Sequence, residues 1–196
     1  MGTRVLSLLK NAGIDAKANK TFNFIHDTFL LLIRMFPESK SNIPVVIVSA
    51  NARMDPHFHT RIGSALRPLR YEDALIIGSG GAVHNLYRNN WMQMVLWRDS
   101  LAMPIAPMDC MLEFRQAFED AVTTNSGPAL RRAITRLMKH PRFRDAHGTD
   151  EHFIPACFVA GAAGAPEDEG TANRLTAECW ELVNMANSQF QLGDWE

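Results

Sequence analysis

The sequence predicts an α/β fold, with a mostly parallel central sheet flanked by helices in a single domain, residues 1–196. Two stretches carry this prediction: Ile43–Ser49 and Ala74–Ile77 are apolar at consecutive positions, as strands buried on both faces are. Helical patterns precede and separate them. With 196 residues, 46% of them hydrophobic, and a net charge of −1, the chain has enough apolar sequence for one sizeable core.

The elements of the first half follow from apolar spacing and from helix boundary residues. Leucine and valine at helical spacing predict an amphipathic helix over Thr3–Ala12. Phe22–Phe36 is a second, mainly apolar segment whose length and composition favour a largely buried helix, and Pro37 ends it. Asp55-Pro56 predicts the start of a third helix, because aspartate is a good N-cap and proline suits the first helical position.

The second half is predicted to be mainly helical. Residues 85–100 show no clean periodicity and are predicted to be irregular. Met108–Thr123 and Ala129–Lys139 are predicted helices, separated by an Asn-Ser-Gly-Pro turn. Thr149 lies three residues before His152 and is a candidate N-cap of the helix that carries this histidine.

The tail of the chain and its cysteines complete the structural predictions. We expect an edge strand within Leu182–Leu192, because apolar and polar residues alternate there. Three cysteines, Cys110, Cys157 and Cys179, are widely spaced among apolar neighbours and are predicted to be free thiols.

Charge and composition argue against several classes of partner. The basic residues are scattered, so we expect no nucleic-acid partner. No apolar run reaches the ~18 residues of a spanning helix, and residues 1–10 lack the layout of a signal peptide. We therefore expect a cytoplasmic protein with no membrane partner.

The glycine-rich stretch Ala74–Leu86 is the first candidate site. Three glycines follow the apolar run and let the backbone turn sharply, so His84 is predicted just beyond the carboxyl end of a strand. Open α/β sheets place ligands and reactive side chains there. Taken alone, the pattern fits a histidine that only hydrogen-bonds to the backbone equally well.

Several blocks, in order and spacing, extend this pattern over nearly the whole chain, from about Asn11 to the C-terminus. They are Met35-Phe36-Pro37-Glu38, Asp55-Pro56-x-x-His59 with Gly63-x-Ala65-Leu66, Ile76–Leu86, and His147-Gly148-Thr149-Asp150-Glu151-His152-Phe153-Ile154-Pro155. Together they resemble the class III extradiol ring-cleavage dioxygenases, in the branch of the DOPA dioxygenases.

The resemblance implies an α/β fold and a mononuclear metal site that cleaves a catechol-type ring with dioxygen. It implies His26 and His152 as metal ligands, His84 and His147 as catalytic groups, and His59 and Asn85 as substrate-binding groups. Fe(II) or Zn(II) is the implied metal, because neutral imidazoles suit both ions. A histidine that titrates near neutrality can move protons during ring opening.

The chain departs from the family at the metal site. Family members carry a further ligand in a His-Gly motif on a first strand, which this sequence lacks, and they have Asp-His-Gly where this chain has Ile25-His26-Asp27. Two imidazoles fall short of the three protein ligands that catalytic metals usually have. Asp27 and His57 are spare donors, although no motif supports either one.

Two functions therefore stay open. The first is a short extradiol dioxygenase-like metalloenzyme. The second is a family derivative without ring-cleaving activity, either a binding or oligomeric partner or an enzyme of altered, non-redox chemistry. We also expect a homo-oligomer, because the absence of the first strand would expose the flank of Ile43–Ser49 or Ala74–Ile77.

Overall fold

The computed structural model describes residues 1–36, 43–102 and 105–194. Helices dominate these residues. The α-helices are α1 (Gly2–Asn11), α2 (His26–Met35), α3 (Pro56–Leu66), α4 (Met92–Trp97), α5 (Asp109–Thr123), α6 (Gly127–Leu137), α7 (Phe143–Ala146) and α8 (Ile154–Ala163). Short 3-10 turns follow α3 and α8, at Arg67–Tyr71 and Pro166–Asp168. The strands are β1 (Asn173–Glu181) and β2 (Met185–Leu192).

The predicted parallel central sheet is wrong. The sheet in the described ranges has two antiparallel strands, β1 and β2, which form a hairpin with a bulge between Leu175 and Ala177. The two predicted strands, at residues 44–50 and 74–80, are assigned neither helix nor strand, and neither pairs with a described strand. Their composition does favour extended backbone, yet a sheet also needs a neighbouring strand to take up its hydrogen bonds, and the described chain supplies none there.

These two stretches, which we call the first and second extended segments after their strand-like composition, lie on a layer of helices. Val48 of the first and Ala74 and Ile76 of the second pack against the apolar cluster of α1 and α3. Exposure alternates along the second segment, since Ala74 and Ile76 are half-buried while Leu75 and Ile77 are 55% and 44% exposed. A period of two is that of a strand with one covered face.

The main core lies among α5, α6, α8 and the hairpin. Phe114 and Phe118 of α5 meet Phe153 edge-on, with ring centroids 6.4 and 5.8 Å apart. The predicted helices at Met108–Thr123 and Ala129–Lys139 are confirmed as α5 and α6 within two residues. This core supports the chain segment that carries the downstream histidines.

Helices α3 and α8 cross in backbone contact. A Cβ atom on Gly63 would lie 1.9 Å from the carbonyl oxygen of Phe158, and one on Gly161 would lie 2.0 Å from that of Thr60. Only glycine permits this approach, so the crossing fixes α8 against the layer under the extended segments.

Other predictions near the site need correction. The helix at Phe22–Phe36 begins at His26 and buries none of its residues, so it is not the buried helix that its composition suggested. Residues 85–100 contain the short helix α4, and the predicted tail strand is β2, paired with a strand, β1, that was not predicted. No helix in the described ranges is long and apolar enough to cross a membrane.

Candidate functional site

Two histidines from distant parts of the chain stack on each other. The rings of His84 and His152 have centroids 3.5 Å apart and planes 15° apart, and both side chains are half-buried. The backbone holds the pair together, because the N–H of Gly81 donates to the carbonyl of His152 at 3.0 Å. A Cβ on Gly80 would lie 2.3 Å from that carbonyl, which explains a glycine there.

His152 is placed by a turn and not by a helix. The residues around it form turns ahead of α8, which begins at Ile154. Thr149 donates its hydroxyl to Glu151 at 2.5 Å and makes no side-chain cap for this helix, so the predicted capping role is wrong. Glu151, next to His152, is a charged group that the motif contained but that sequence reasoning assigned no role.

His26 approaches the same place from the start of α2. Its charge, with that of Asp27, contributes to the pKa of His152. Ser79 of the second extended segment donates its hydroxyl to the carbonyl oxygen of Asp27 at 2.7 Å, which ties the start of α2 to the glycine block. His26 itself is exposed. The structure therefore brings His26, His84 and His152 into one cluster.

The electrostatics of the cluster favour the neutral form of His84 and His152. Burial lowers the pKa of His84, the charges of His152 and His26 lower it further, and Glu151 raises it in part. Burial also lowers the pKa of His152, where Glu151 and Asp27 oppose the effect and His26 adds to it. Neutral imidazole nitrogens can accept a proton or coordinate a metal ion.

Three hydrogen bonds fasten the loop of His84 to residues 145–147. The N–H of His84 donates to the carbonyl of Ala146 at 2.9 Å, and the side-chain amide of Asn85 donates to the carbonyl of Asp145 at 2.7 Å. His147 Nε2 lies 3.1 Å from the carbonyl oxygen of Ala82, two residues before His84. A β-bridge between His84 and His147 runs alongside these bonds.

His147 lies in the core and not on the surface of the cluster. It is fully buried, and its ring stacks on Phe143 at 5.2 Å. Because a carbonyl accepts from Nε2, this nitrogen carries the proton, and the buried Nδ1 has no hydrogen-bond partner among the described residues. Burial lowers the pKa of His147 to about 4, so the ring is neutral near pH 7.

The predicted substrate-binding residues are engaged by their own chain. His59 is buried, its Nε2 accepts from the N–H of Asn51 at 2.9 Å, and its Nδ1 lies 2.6 Å from the carbonyl oxygen of Asp55. The buried Asn85 also accepts from the N–H of Tyr87 through its Oδ1 at 3.1 Å. Both side chains hold loops in place with these atoms.

The sequence and the fold of this chain are similar to those of known proteins. The model of the family described as catalytic LigB subunit of aromatic ring-opening dioxygenase matches residues 1–185. The chain belongs to this family. The resemblance to class III extradiol dioxygenases is thereby confirmed.

Individual relatives agree with the family model. The chain is 33% identical over 192 residues to a 4,5-DOPA dioxygenase extradiol of Portulaca grandiflora, covering 97% of this chain and 64% of that protein. It is 31% identical over 182 residues to the protein of the same description from Beta vulgaris, covering 92% and 60%. The chain thus spans less than two thirds of the length of these relatives.

A solved structure extends the similarity to the fold. The crystal structure of an uncharacterized protein from Escherichia coli K12 superimposes with a TM-score of 0.78 at 26% sequence identity. The match covers 97% of this chain and 71% of that one. The helical layer and the extended segments therefore belong to an arrangement that a LigB-family chain shares with a solved protein.

LigB-family dioxygenases depend on a metal ion, and the donors here fit such an ion only in part. His26 and His152 have the right chemistry, and Asp27 adds a carboxylate beside them. Within the described ranges, however, no group of three or more His, Cys, Asp or Glu side chains is arranged to hold a metal ion. His57, the other spare donor considered, is exposed on α3. The donor set is therefore short of a complete site.

Proposed function

We propose that this chain is an extradiol dioxygenase-like enzyme that opens a catechol-type aromatic ring with dioxygen. The observation that carries the proposal is the stacked pair of His84 and His152, with His26 beside it, in a chain of the LigB family. Relatives described as 4,5-DOPA dioxygenases support a catechol as the substrate class, since DOPA is one.

In this proposal His84 is the acid/base group. Its lowered pKa leaves it neutral near pH 7, so that it can accept the proton of a phenol hydroxyl and later return it to the opened product. The hydrogen bonds from its own N–H and from Asn85 hold its loop. Asn85 acts on substrate binding through that loop. His59 supports the loop at Asn51, from whose N–H its ring accepts.

His26 and His152 are proposed as two ligands of Fe(II) or Zn(II). Both ions accept neutral imidazole nitrogen, which the lowered pKa of His152 favours. Two imidazoles are fewer than a catalytic ion usually requires, so the site needs at least one further donor. Asp27 is the carboxylate nearest to filling part of this need.

Oxygen uptake tests the reaction directly. The purified chain is incubated with DOPA or catechol after addition of Fe(II) or Zn(II), and dioxygen consumption and the absorbance of the ring-opened product are followed together. His84→Ala should remove most turnover while the bound metal per chain stays unchanged. His57→Ala removes an exposed imidazole of α3 and serves as the matched control. Loss of the metal in the His84 variant would make His84 a ligand instead.

A second candidate function rests on the short donor set. A family derivative that binds an aromatic compound or a partner, or uses His84 in non-redox chemistry, needs no complete metal site. Metal analysis of protein purified without chelator separates the two. About one equivalent of metal per chain together with oxygen uptake supports the oxygenase, whereas metal-free protein that binds a catechol without consuming dioxygen supports the derivative.

We also propose that the chain works as a homo-oligomer. The support is the open apolar face of the extended segments and α2, which no described part of the chain covers. Partners beyond a second copy are the small aromatic substrate and dioxygen.

A further inference from the structure

We infer that Gly148 is a positioning residue for His84, because the lack of a side chain at position 148 lets the His84 loop, residues 84–87, lie against residues 145–148. The inference rests on the acid/base role proposed for His84. It adds a residue that acts on the reaction through His84 and does not itself touch the substrate. The motif that begins at His147 contains this glycine, but sequence reasoning gave it no role.

A Cβ atom at position 148 would enter the space of the His84 loop. It would lie 2.9 Å from Asn85 Oδ1 and 3.0 and 3.2 Å from Cδ2 and Cε2 of Tyr87. Gly148 does not have a positive φ, so its backbone conformation is open to other residues. The glycine is therefore explained by the space that the loop needs and not by the conformation of its own backbone.

The two contacts of this Cβ differ in how easily they yield. The side chain of Tyr87 is 86% exposed, so its ring can turn away into solvent. Asn85 is buried, its amide donates to the Asp145 carbonyl at 2.7 Å, and its Oδ1 accepts from the N–H of Tyr87 at 3.1 Å. Because hydrogen bonds hold both ends of this amide, the contact with Asn85 decides the effect of a side chain at position 148.

A shift of Asn85 reaches His84 through the backbone. The N–H of His84 donates to the Ala146 carbonyl at 2.9 Å, and a parallel β-bridge joins His84 to His147. To reach ordinary contact, Asn85 Oδ1 would have to retreat from 2.9 Å to about 3.4 Å. A misplacement of the reacting group by 1 Å can cost a hundredfold in rate, so a shift of about half that size should cost about tenfold.

Other close glycine contacts of the fold serve a different purpose. A Cβ on Gly161 would meet the backbone of α3 at Thr60, so that glycine sets the crossing of two helices. Around Gly148 the three nearest atoms all belong to Asn85 and Tyr87. A side chain at position 148 would therefore act first on the His84 loop and not on the packing of the core.

Oxygen uptake with DOPA, on the full chain loaded with Fe(II), measures the effect on turnover. Gly148→Ala should lower kcat about five- to tenfold and leave KM within twofold, because the variant moves the acid/base group and adds nothing at a substrate contact. Gly2→Ala makes the same chemical change where nothing lies within 4 Å, and it should leave both constants unchanged.

A double-mutant cycle identifies the contact that transmits the effect. Asn85→Ala removes the atom that the new Cβ meets, so adding Gly148→Ala to it should cost less than a further twofold in kcat. Tyr87→Ala removes only the contact that yields easily, and in that background Gly148→Ala should keep its full five- to tenfold effect. Losses that simply multiply in the Asn85 background would overturn the inference.

NMR of the histidine ring protons tests the positioning without metal or dioxygen. The signals of His84 and His152 should move in Gly148→Ala, because stacked rings shift the resonances of each other. The signals of His59, which is held by Asn51 and Asp55, should stay. Unmoved His84 signals, or signals of all three rings that move together, would overturn the inference. Full kcat in Gly148→Ala would do the same and leave the proposed reaction standing, whereas a wild type without oxygen uptake but with the expected NMR shifts would refute only the reaction.

Discussion

Replacement of His147 by phenylalanine should separate the position of His84 from the stability of the fold. His147 is fully buried, and its Nε2–H donates to the Ala82 carbonyl ahead of the His84 loop. Phenylalanine keeps an aromatic ring against Phe143 and removes both ring nitrogens, but its six-membered ring is larger than imidazole. The variant therefore deletes one of the three bonds that fasten the loop and adds a modest overpacking of the buried position.

Two of the three terms in the expected change in stability oppose each other. Leaving the buried Ala82 carbonyl without a donor costs about 1 to 3 kcal/mol. The variant also removes Nδ1, a buried acceptor that has no partner among the described residues and carries a desolvation cost of the same order. These two terms largely cancel, so the larger ring sets the net effect, and we expect the free energy of unfolding to fall by about 1 to 3 kcal/mol. By contrast, a displacement of the reacting group by about 1 Å can cost a hundredfold in rate.

Steady-state oxygen uptake and urea unfolding measure the two effects on the same variant. With the remaining bonds of His84 and Asn85 in place, kcat should fall between about tenfold and a hundredfold while KM changes little. Cys157→Ala is the control, because it loosens the same core without touching the loop and should lower stability while kcat holds. Full kcat in the phenylalanine variant would refute a positioning role, and so would a loss of kcat that merely follows stability in both variants.

Three further predictions follow from the structure. The pKa of His147 is about 4 in the folded chain against an ordinary 6.5, so the unfolded chain binds the proton more tightly. The contribution of His147 to stability is complete above pH 6.5, and the free energy of unfolding should fall by on the order of 3 kcal/mol as the pH drops to about 4. Urea titrations at several pH values measure this slope, which His147→Phe should lose. Gly161→Ala should destabilise by more than about 3 kcal/mol by calorimetry, because its Cβ would meet the Thr60 carbonyl at 2.0 Å, whereas Gly2→Ala, in open space, should be neutral. Asp168→Ala should cost about 3 kcal/mol in urea unfolding, since the buried carboxylate accepts from Arg67 at 2.7 Å and from Arg70 at 3.0 Å, and its loss leaves Arg67 only the longer ion pair with the exposed Glu167 at 3.7 Å. An unchanged midpoint would show that water replaces the carboxylate.

Local signals predicted the helices well. The Asp55-Pro56 start is confirmed, since Asp55 caps α3 by accepting from the N–H of His57 at 2.8 Å. The helices over Thr3–Ala12 and Met108–Thr123 also lie where apolar spacing placed them. Each of these signals acts within a few residues, so the sequence alone contains the information that decides the element.

The prediction of a central sheet was wrong because strand pairing does not depend on local signals. Ile43–Ser49 and Ala74–Ile77 have strand composition, but pairing depends on a neighbouring strand, which no local pattern can report. The hairpin shows the converse, because β1 carries charged and polar residues on several exposed positions and forms a strand through its pairing with β2.

The candidate site was predictable as a set of residues and not as a set of contacts. Motif order indicated His84 and His152, and the fold does stack them at 3.5 Å. The burial of His147 and the use of both nitrogens of His59 arise from packing between distant segments. A histidine motif looks the same whether the ring faces substrate or core, which is why sequence reasoning could not separate the two.

The cluster divides into a half that the chain fixes and a half that it does not. His84 and His152 are held in place by the close approach of the glycine block to residue 152 and by backbone hydrogen bonds that join this block to residues 145–152. His26 lies at the start of α2, none of whose residues is fully buried. Among the described residues, the hydrogen bond from the Ser79 hydroxyl to the Asp27 carbonyl holds this helix start, and such a bond contributes about 1 kcal/mol. Within the described ranges, the side of the cluster that carries His26 thus lacks both a complete set of metal donors and fully buried packing. The half of the cluster that carries His26 is therefore the half that the described chain fixes least.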